Sequence, residues 1–132
     1  MIRVLVVDDH PVLRAGLEAV LRAEPGLRCV GASHDGATMW RLLRRTRPDV
    51  VVLDHRREDE DGLELCRAVR GEPAAPAVLL YTAAPSDALR DAAREAGAAD
   101  VVDKSVSTDV LFDAIRLAGR RLGVAPSSTE AA

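Results

Sequence analysis

Ile2-Arg3-Val4-Leu5-Val6-Val7-Asp8-Asp9-His10-Pro11 is the stretch that decides the fold. Its opening is an apolar run broken only by Arg3, the pattern of a strand covered on both faces. Two acids stop the run. Pro11 suits the first turn of a helix, where its missing N–H would have no intrahelical partner anyway. Leu13, Leu17, Val20 and Leu21 then recur at helical spacing until Pro25-Gly26 closes the segment.

The same unit recurs along the chain, although no internal sequence repeat is visible. Leu27 to Ala32 reads as a second strand, and Met39, Trp40 and Leu43 mark a second helix stopped by Pro48. Val50 to Leu53 is a continuous aliphatic strand, followed by a helix carrying Leu65, Cys66 and Val69. Ala77 to Tyr81 makes a fourth strand, and Leu89, Ala92, Ala93 and Ala96 a helix ended by Gly97. Val101-Val102 is a short fifth strand, and Ser107 is placed to cap a helix carrying Val110, Leu111, Ala114, Ile115 and Ala118. Five β-then-α units in strict alternation predict an α/β fold, a doubly wound parallel sheet with right-handed crossovers. From Leu122 the pattern dissolves, so 122–132 reads as a linker or disordered tail.

Composition narrows the function. A chain of 132 residues, 48% of them apolar, is sized for one domain with a real core. No aliphatic run approaches the ~20 residues of a membrane-spanning helix. No cationic and apolar leader opens the chain, and a cytoplasmic protein without membrane contact is expected. Cys29 and Cys66 lie far apart in apolar contexts and read as buried free thiols. A net charge of −3 makes the domain a poor candidate for binding a phosphate backbone by itself. Trp40, Tyr81 and Phe112 are the only aromatic residues, too few for a base-stacking platform. Of the 18 basic residues only Lys104 is a lysine.

Polar residues interrupt the strands at one end. Asp8 and Asp9 follow the first strand, Asp54 the third, Thr82 the fourth, and Lys104 closely follows the fifth. All five fall at carboxyl ends, the edge where open parallel sheets bind ligands. Taken singly, an aspartate there is a turn or cap residue; the argument lies in the convergence. Three crowded carboxylates repel and call for a cation, which Mg²⁺ supplies with one or two carboxylates, waters and a phosphate oxygen. Lys104 adds a positive charge and Thr82 a hydroxyl. A carboxylate nucleophile, a metal, an ammonium and a hydroxyl donor are the parts that position a transferring phosphoryl group, here on Asp54.

At these residues the sequence resembles the receiver domain of bacterial two-component response regulators. The stretch from Ile2 to Leu17 is particularly similar to the NarL/FixJ (LuxR-type) subfamily of transcription regulators. The resemblance covers residues 1–121 and implies a flavodoxin-like, CheY-like (βα)5 fold with strand order 2-1-3-4-5. It implies Mg²⁺ held by Asp9, Asp54 and the backbone carbonyl of Arg56, with Asp8 acting through water or as a second acid. Thr82 and Lys104 take the family's hydroxyl and lysine positions, and Asp61-Gly62-Leu63-Glu64-Leu65 matches the opening of its third helix. It further implies a sensor histidine kinase as phosphodonor and a transcriptional output. DNA would be reached only through a helix-turn-helix domain not in this chain. The tail favours a receiver cut in its linker, with a stand-alone receiver as the other reading, and a homodimer stays open. Such a domain is a signalling module and not an enzyme, beyond catalysing its own phosphorylation and dephosphorylation.

Two departures keep an alternative alive. Arg57 and Glu58 replace an apolar residue and a proline, in a loop of unusual charge read as solvated. Val101 and Asp100 replace the family's aromatic switch residue and the preceding glycine, so an interaction module with weak phosphorylation coupling is the second reading. A haloacid dehalogenase-type phosphatase needs a second acid two residues after its nucleophile. His10 follows Asp8 and Arg56 follows Asp54 at that spacing, which argues against it. His10, His34 and His55 do not read as a metal set, and neither His10 nor His55 is assigned a catalytic role.

Overall fold

The protein is described by a computed structural model covering residues 1–55 and 61–121. Five strands and five helices alternate: β1 (Ile2–Val7), α1 (Pro11–Ala23), β2 (Leu27–Ser33), α2 (Gly36–Thr46), β3 (Val50–Asp54), α3 (Gly62–Arg70), β4 (Ala77–Thr82), α4 (Asp87–Glu95), β5 (Asp100–Asp103) and α5 (Thr108–Arg121). The strands form one parallel sheet in the order β2-β1-β3-β4-β5, as expected. Arg56, Arg57 and Glu58 of the charged loop, and the expected tail from Leu122, lie outside the described residues.

Every residue of β3 and β4 is buried, as a central strand covered on both faces requires. Successive side chains go to opposite faces. Val4, Val6, Val50, Val52, Leu79 and Tyr81 pack with Leu17 and Leu21 of α1 and with Leu111, Phe112 and Ile115 of α5. Leu5, Val7, Val51, Leu53, Val78 and Leu80 pack with Met39 of α2, Cys66 and Val69 of α3, and Leu89 and Ala93 of α4. The sheet therefore separates two cores, of which the one under α1 and α5 also holds Tyr81 and Phe112. Among the described residues, no helix is long and apolar enough to cross a membrane.

Local chemistry sets the helix ends. The side chains of Asp35, Asp61 and Ser86 accept from the N–H groups of Thr38, Leu63 and Leu89. Ser107 Oγ accepts from Asp109 N at 3.2 Å, as the sequence predicts. Gly97, at φ +90°, turns the chain out of α4, a conformation open to a residue without a Cβ. Ala96 is the cap of α4 and not part of it. His10 occupies the N-cap of α1 yet makes no side-chain cap bond; its ring is engaged elsewhere.

One expectation is corrected. Cys66 is buried, its thiol donating to Ala96 O and pushed up by burial to about 11, but Cys29 is only partly buried. Cys29 sits on β2, an edge strand that the order places away from the covered centre. Both thiols are free, as predicted.

Candidate functional site

The strand order reverses between β1 and β3, and the carboxyl ends of such a pair are where open parallel sheets bind ligands. Asp8 and Asp9 leave β1 there, Asp54 closes β3, Thr82 closes β4, and Lys104 follows β5 directly. Parallel register carries the set across the sheet: Asp54 pairs with Tyr81, and the next residue, Thr82, pairs with Asp103.

Lys104 ties the acids together. Its Nζ donates to Asp54 Oδ1 at 3.0 Å and to Asp8 Oδ2 at 3.2 Å. Its backbone N–H donates to Thr82 O at 2.8 Å, which fixes the stem against β4. Asp103 shapes the turn by accepting from the N–H and hydroxyl of Ser105. Those two bonds hold the Asp103 carboxyl below the usual carboxylate range. The ammonium lies 5.7 Å from the Tyr81 ring centroid, within cation–π reach. The hydroxyl of Thr82 accepts from Ala84 N at 3.1 Å.

Asp54 is only 3% exposed. Burial pushes its carboxyl above the usual range, opposed by the hydrogen bond and charge of Lys104. Its second oxygen, Oδ2, is buried and accepts no hydrogen bond. Asp8 is differently placed, because both of its oxygens already accept. Oδ2 takes the Lys104 ammonium, and Oδ1 takes the backbone N–H and Nδ1 of His10, each at 2.8 Å. That arrangement suits a carboxylate acting at one remove from an ion better than a direct ligand.

The sequence reading missed two contributors. His10 Nδ1 lies 2.8 Å from Asp8, 3.2 Å from Asp9 and 3.6 Å from Asp54. The Asp8 hydrogen bond holds the His10 imidazole above its ordinary pKa, against desolvation. Arg14, one helical turn on, donates from Nη1 to Asp8 O at 2.8 Å and anchors the end of β1. Arg14 lies on the stretch whose spacing suggested a helix, but spacing could not say that it reaches back. His34 takes no part in this cluster, and among the described residues Asp8, Asp9, His10 and Asp54 are the group able to hold an ion.

An unbonded buried carboxylate oxygen facing other acids, with an ammonium behind it, accepts a hard cation readily. Residues 4–116 match the response regulator receiver domain family. The chain belongs to that family. The transcriptional regulatory protein LiaR of Bacillus subtilis is 35% identical over 120 residues, covering 91% of this chain and 57% of LiaR. A LuxR-family two-component response regulator from Aurantimonas sp. SI85-9A1 superposes with a TM-score of 0.85 at 33% identity, covering 92% of this chain and 86% of that chain. A protein-glutamate methylesterase/protein-glutamine glutaminase of Anaeromyxobacter dehalogenans is 41% identical over 106 residues, covering 78% of this chain but only 29% of that protein. The receiver thus spans a little over half of a transcription regulator and under a third of an enzyme. The flavodoxin-like, CheY-like fold expected from the sequence is the fold observed.

Proposed function

We propose that the receiver spans residues 1–121 and takes a phosphoryl group from a sensor histidine kinase onto Asp54. The single observation that carries this reading is Asp54 itself, buried, with Oδ1 held by Lys104 and Oδ2 unbonded at the carboxyl edge. In the transfer an Asp54 oxygen bonds to phosphorus as the bond from phosphorus to the donor nitrogen breaks, and the donor imidazole leaves. Lys104 holds the acceptor ionised and then faces the negative charge delivered to it. Thr82 supplies a hydroxyl on the neighbouring strand.

Mg²⁺ would be held by Asp9, Asp54 and the carbonyl of Arg56, which lies outside the described residues, with Asp8 behind them. When bound, the ion neutralises the phosphoryl oxygens. The chemistry is the domain's own phosphorylation and dephosphorylation, with no other substrate. The output reading, control of transcription, is supported by the likeness to LiaR, a transcriptional regulatory protein of which the chain covers 57%.

Incubation with a small phosphodonor and Mg²⁺ is expected to add one phosphoryl mass on the peptide carrying Asp54. An unmodified chain, or an adduct elsewhere, overturns the reading. Lys104→Arg is expected to keep the fold and lose the phosphorylation-dependent response. A planar guanidinium spreads its donors where two oxygens now converge on one compact ammonium. An unchanged response would remove Lys104 from the mechanism.

One observation favours weak relay. Val101 is buried on the α4 side of the sheet, and its carbonyl accepts from Arg90 of α4 at 3.1 Å. A β-branched side chain is stiff at χ1 and has little volume to move. Two states that differ little in packing differ little in free energy, so phosphorylation shifts their populations weakly. Amide-shift mapping with beryllofluoride is expected to move Asp54, Thr82 and Lys104 strongly and Asp109 to Leu117 weakly. Large shifts along that helix, with a change from monomer to dimer, would show strong relay without an aromatic residue.

A further inference from the structure

We infer that the His10 imidazole is a direct ligand of the divalent ion, making a mixed nitrogen–oxygen site that favours transition ions such as Mn²⁺ and Co²⁺ over Mg²⁺. The inference rests on the metal-binding part of the proposed function and adds one donor to it. Its ground is the way two carboxylates divide their oxygens. Asp8 Oδ2 and Asp54 Oδ1 turn to the Lys104 ammonium, at 3.2 and 3.0 Å. The remaining oxygens, Asp8 Oδ1 and Asp54 Oδ2, converge with Asp9 Oδ1 on His10 Nδ1, at 2.8, 3.6 and 3.2 Å respectively.

Octahedral ligands about 2.1 Å from an ion lie about 3 Å from their neighbours. Nδ1 therefore stands near ligand-to-ligand spacing from the oxygens of Asp9 and Asp54, at 3.2 and 3.6 Å, and on ligation would give up its hydrogen bond to Asp8 Oδ1. The four residues each offer a donor atom within 4.8 Å of the others. A second and independent observation points to a ligand: Asp54 Oδ2 is buried without a hydrogen-bond partner, on the side of Asp54 away from Lys104's bond. His10 is also not spent on its helix, since it caps α1 by backbone alone. Its ring is 62% exposed, so its orientation is not dictated by the core. Imidazole nitrogen strengthens a site for ions later in the first row, whereas Mg²⁺ holds to oxygen.

The test is calorimetric titration of the whole chain with Mg²⁺ and with Co²⁺, joined to pulsed EPR of the Mn²⁺-loaded protein. Wild type is expected to show nitrogen modulation from a bound imidazole, and His10→Ala to lose it. In His10→Ala the preference for Co²⁺ over Mg²⁺ is expected to fall about tenfold, with the Mg²⁺ affinity changed by less than about threefold. Asp9→Ala is expected to weaken all three ions. Absent nitrogen modulation, or an unchanged preference in His10→Ala, overturns the role of His10 and leaves Mg²⁺ binding by the acids standing. Failure of every ion to bind, or undiminished binding in Asp9→Ala, overturns the metal site and the role of His10 together.

Discussion

Asp54→Asn is expected to take up no phosphoryl group from any donor, and at neutral pH to be more stable than the wild type. The first effect follows from losing the proposed nucleophile, because an amide oxygen forms no stable phosphoryl adduct. Mass spectrometry after phosphodonor treatment reads it directly, and a full adduct in the variant would sink the assignment. The second effect follows from burial. Desolvation raises the Asp54 pKa in the folded chain, partly offset by Lys104. A group whose folded pKa lies above its unfolded value contributes stability below the unfolded pKa and loses it as pH rises through the folded one. At pH 7 the ionised Asp54 is therefore a net cost, and an asparagine removes that cost while its carbonyl can still accept from Lys104. The advantage is expected to shrink as pH falls toward the ordinary aspartate value near 4. Chemical denaturation midpoints at the two pH values check it; a less stable variant at pH 7 would mean that the Lys104 pairing outweighs desolvation.

Gly62→Ala is expected to damage stability and site together. A Cβ at Gly62 would lie 2.9 Å from both Cα and O of His55 and 3.0 Å from Asp54 O. All three atoms are backbone, so no side chain can rotate away. The requirement is for room and not for a left-handed conformation, since Gly62 is not among the glycines with positive φ. Overpacking of this kind costs about 1–3 kcal/mol. Here the strain falls on Asp54, the proposed acceptor, and on His55 after it. A misplacement of about 1 Å can cost on the order of a hundredfold in rate, so phosphoryl uptake should slow even where the variant is folded. Unfolding curves and uptake kinetics on the same preparation separate the two. Wild-type values in both would mean that α3 shifts at no cost.

The order of elements was legible because β1, β3 and β4 are short, mostly aliphatic runs stopped by a polar residue, and each helix keeps its own spacing. Asp8, Asp9, Asp54, Thr82 and Lys104 could be placed on one edge because parallel strands put all their carboxyl ends on the same side. What the pattern could not carry is a side chain's reach. His10 stands just before the Pro11 that reads as a helix start, and its approach to Asp54 depends on β1 and β3 being neighbours. Tyr81 reads as the last residue of a strand; it packs in the core, and its ring also lies within reach of the Lys104 ammonium. Cys29 sits in apolar sequence, but its exposure is set by β2 being an edge strand, a property of the sheet and not of its neighbours in the chain.

The partition of the interior has a genetic consequence. Val51 and Val52 are adjacent in the chain, yet Val51 shares its surroundings with Met39, Cys66 and Val69, and Val52 shares its own with Leu17, Leu21 and Ile115. Distant sites without shared partners behave additively, while residues in contact compensate one another. Second-site suppressors of a truncated Val52 will therefore arise on α1 and α5, and those of a truncated Val51 on α2, α3 and α4. Each flank of the molecule can accumulate substitutions on its own schedule, so descendants of this chain can remodel one flank for a new partner while the other keeps its ancestral packing.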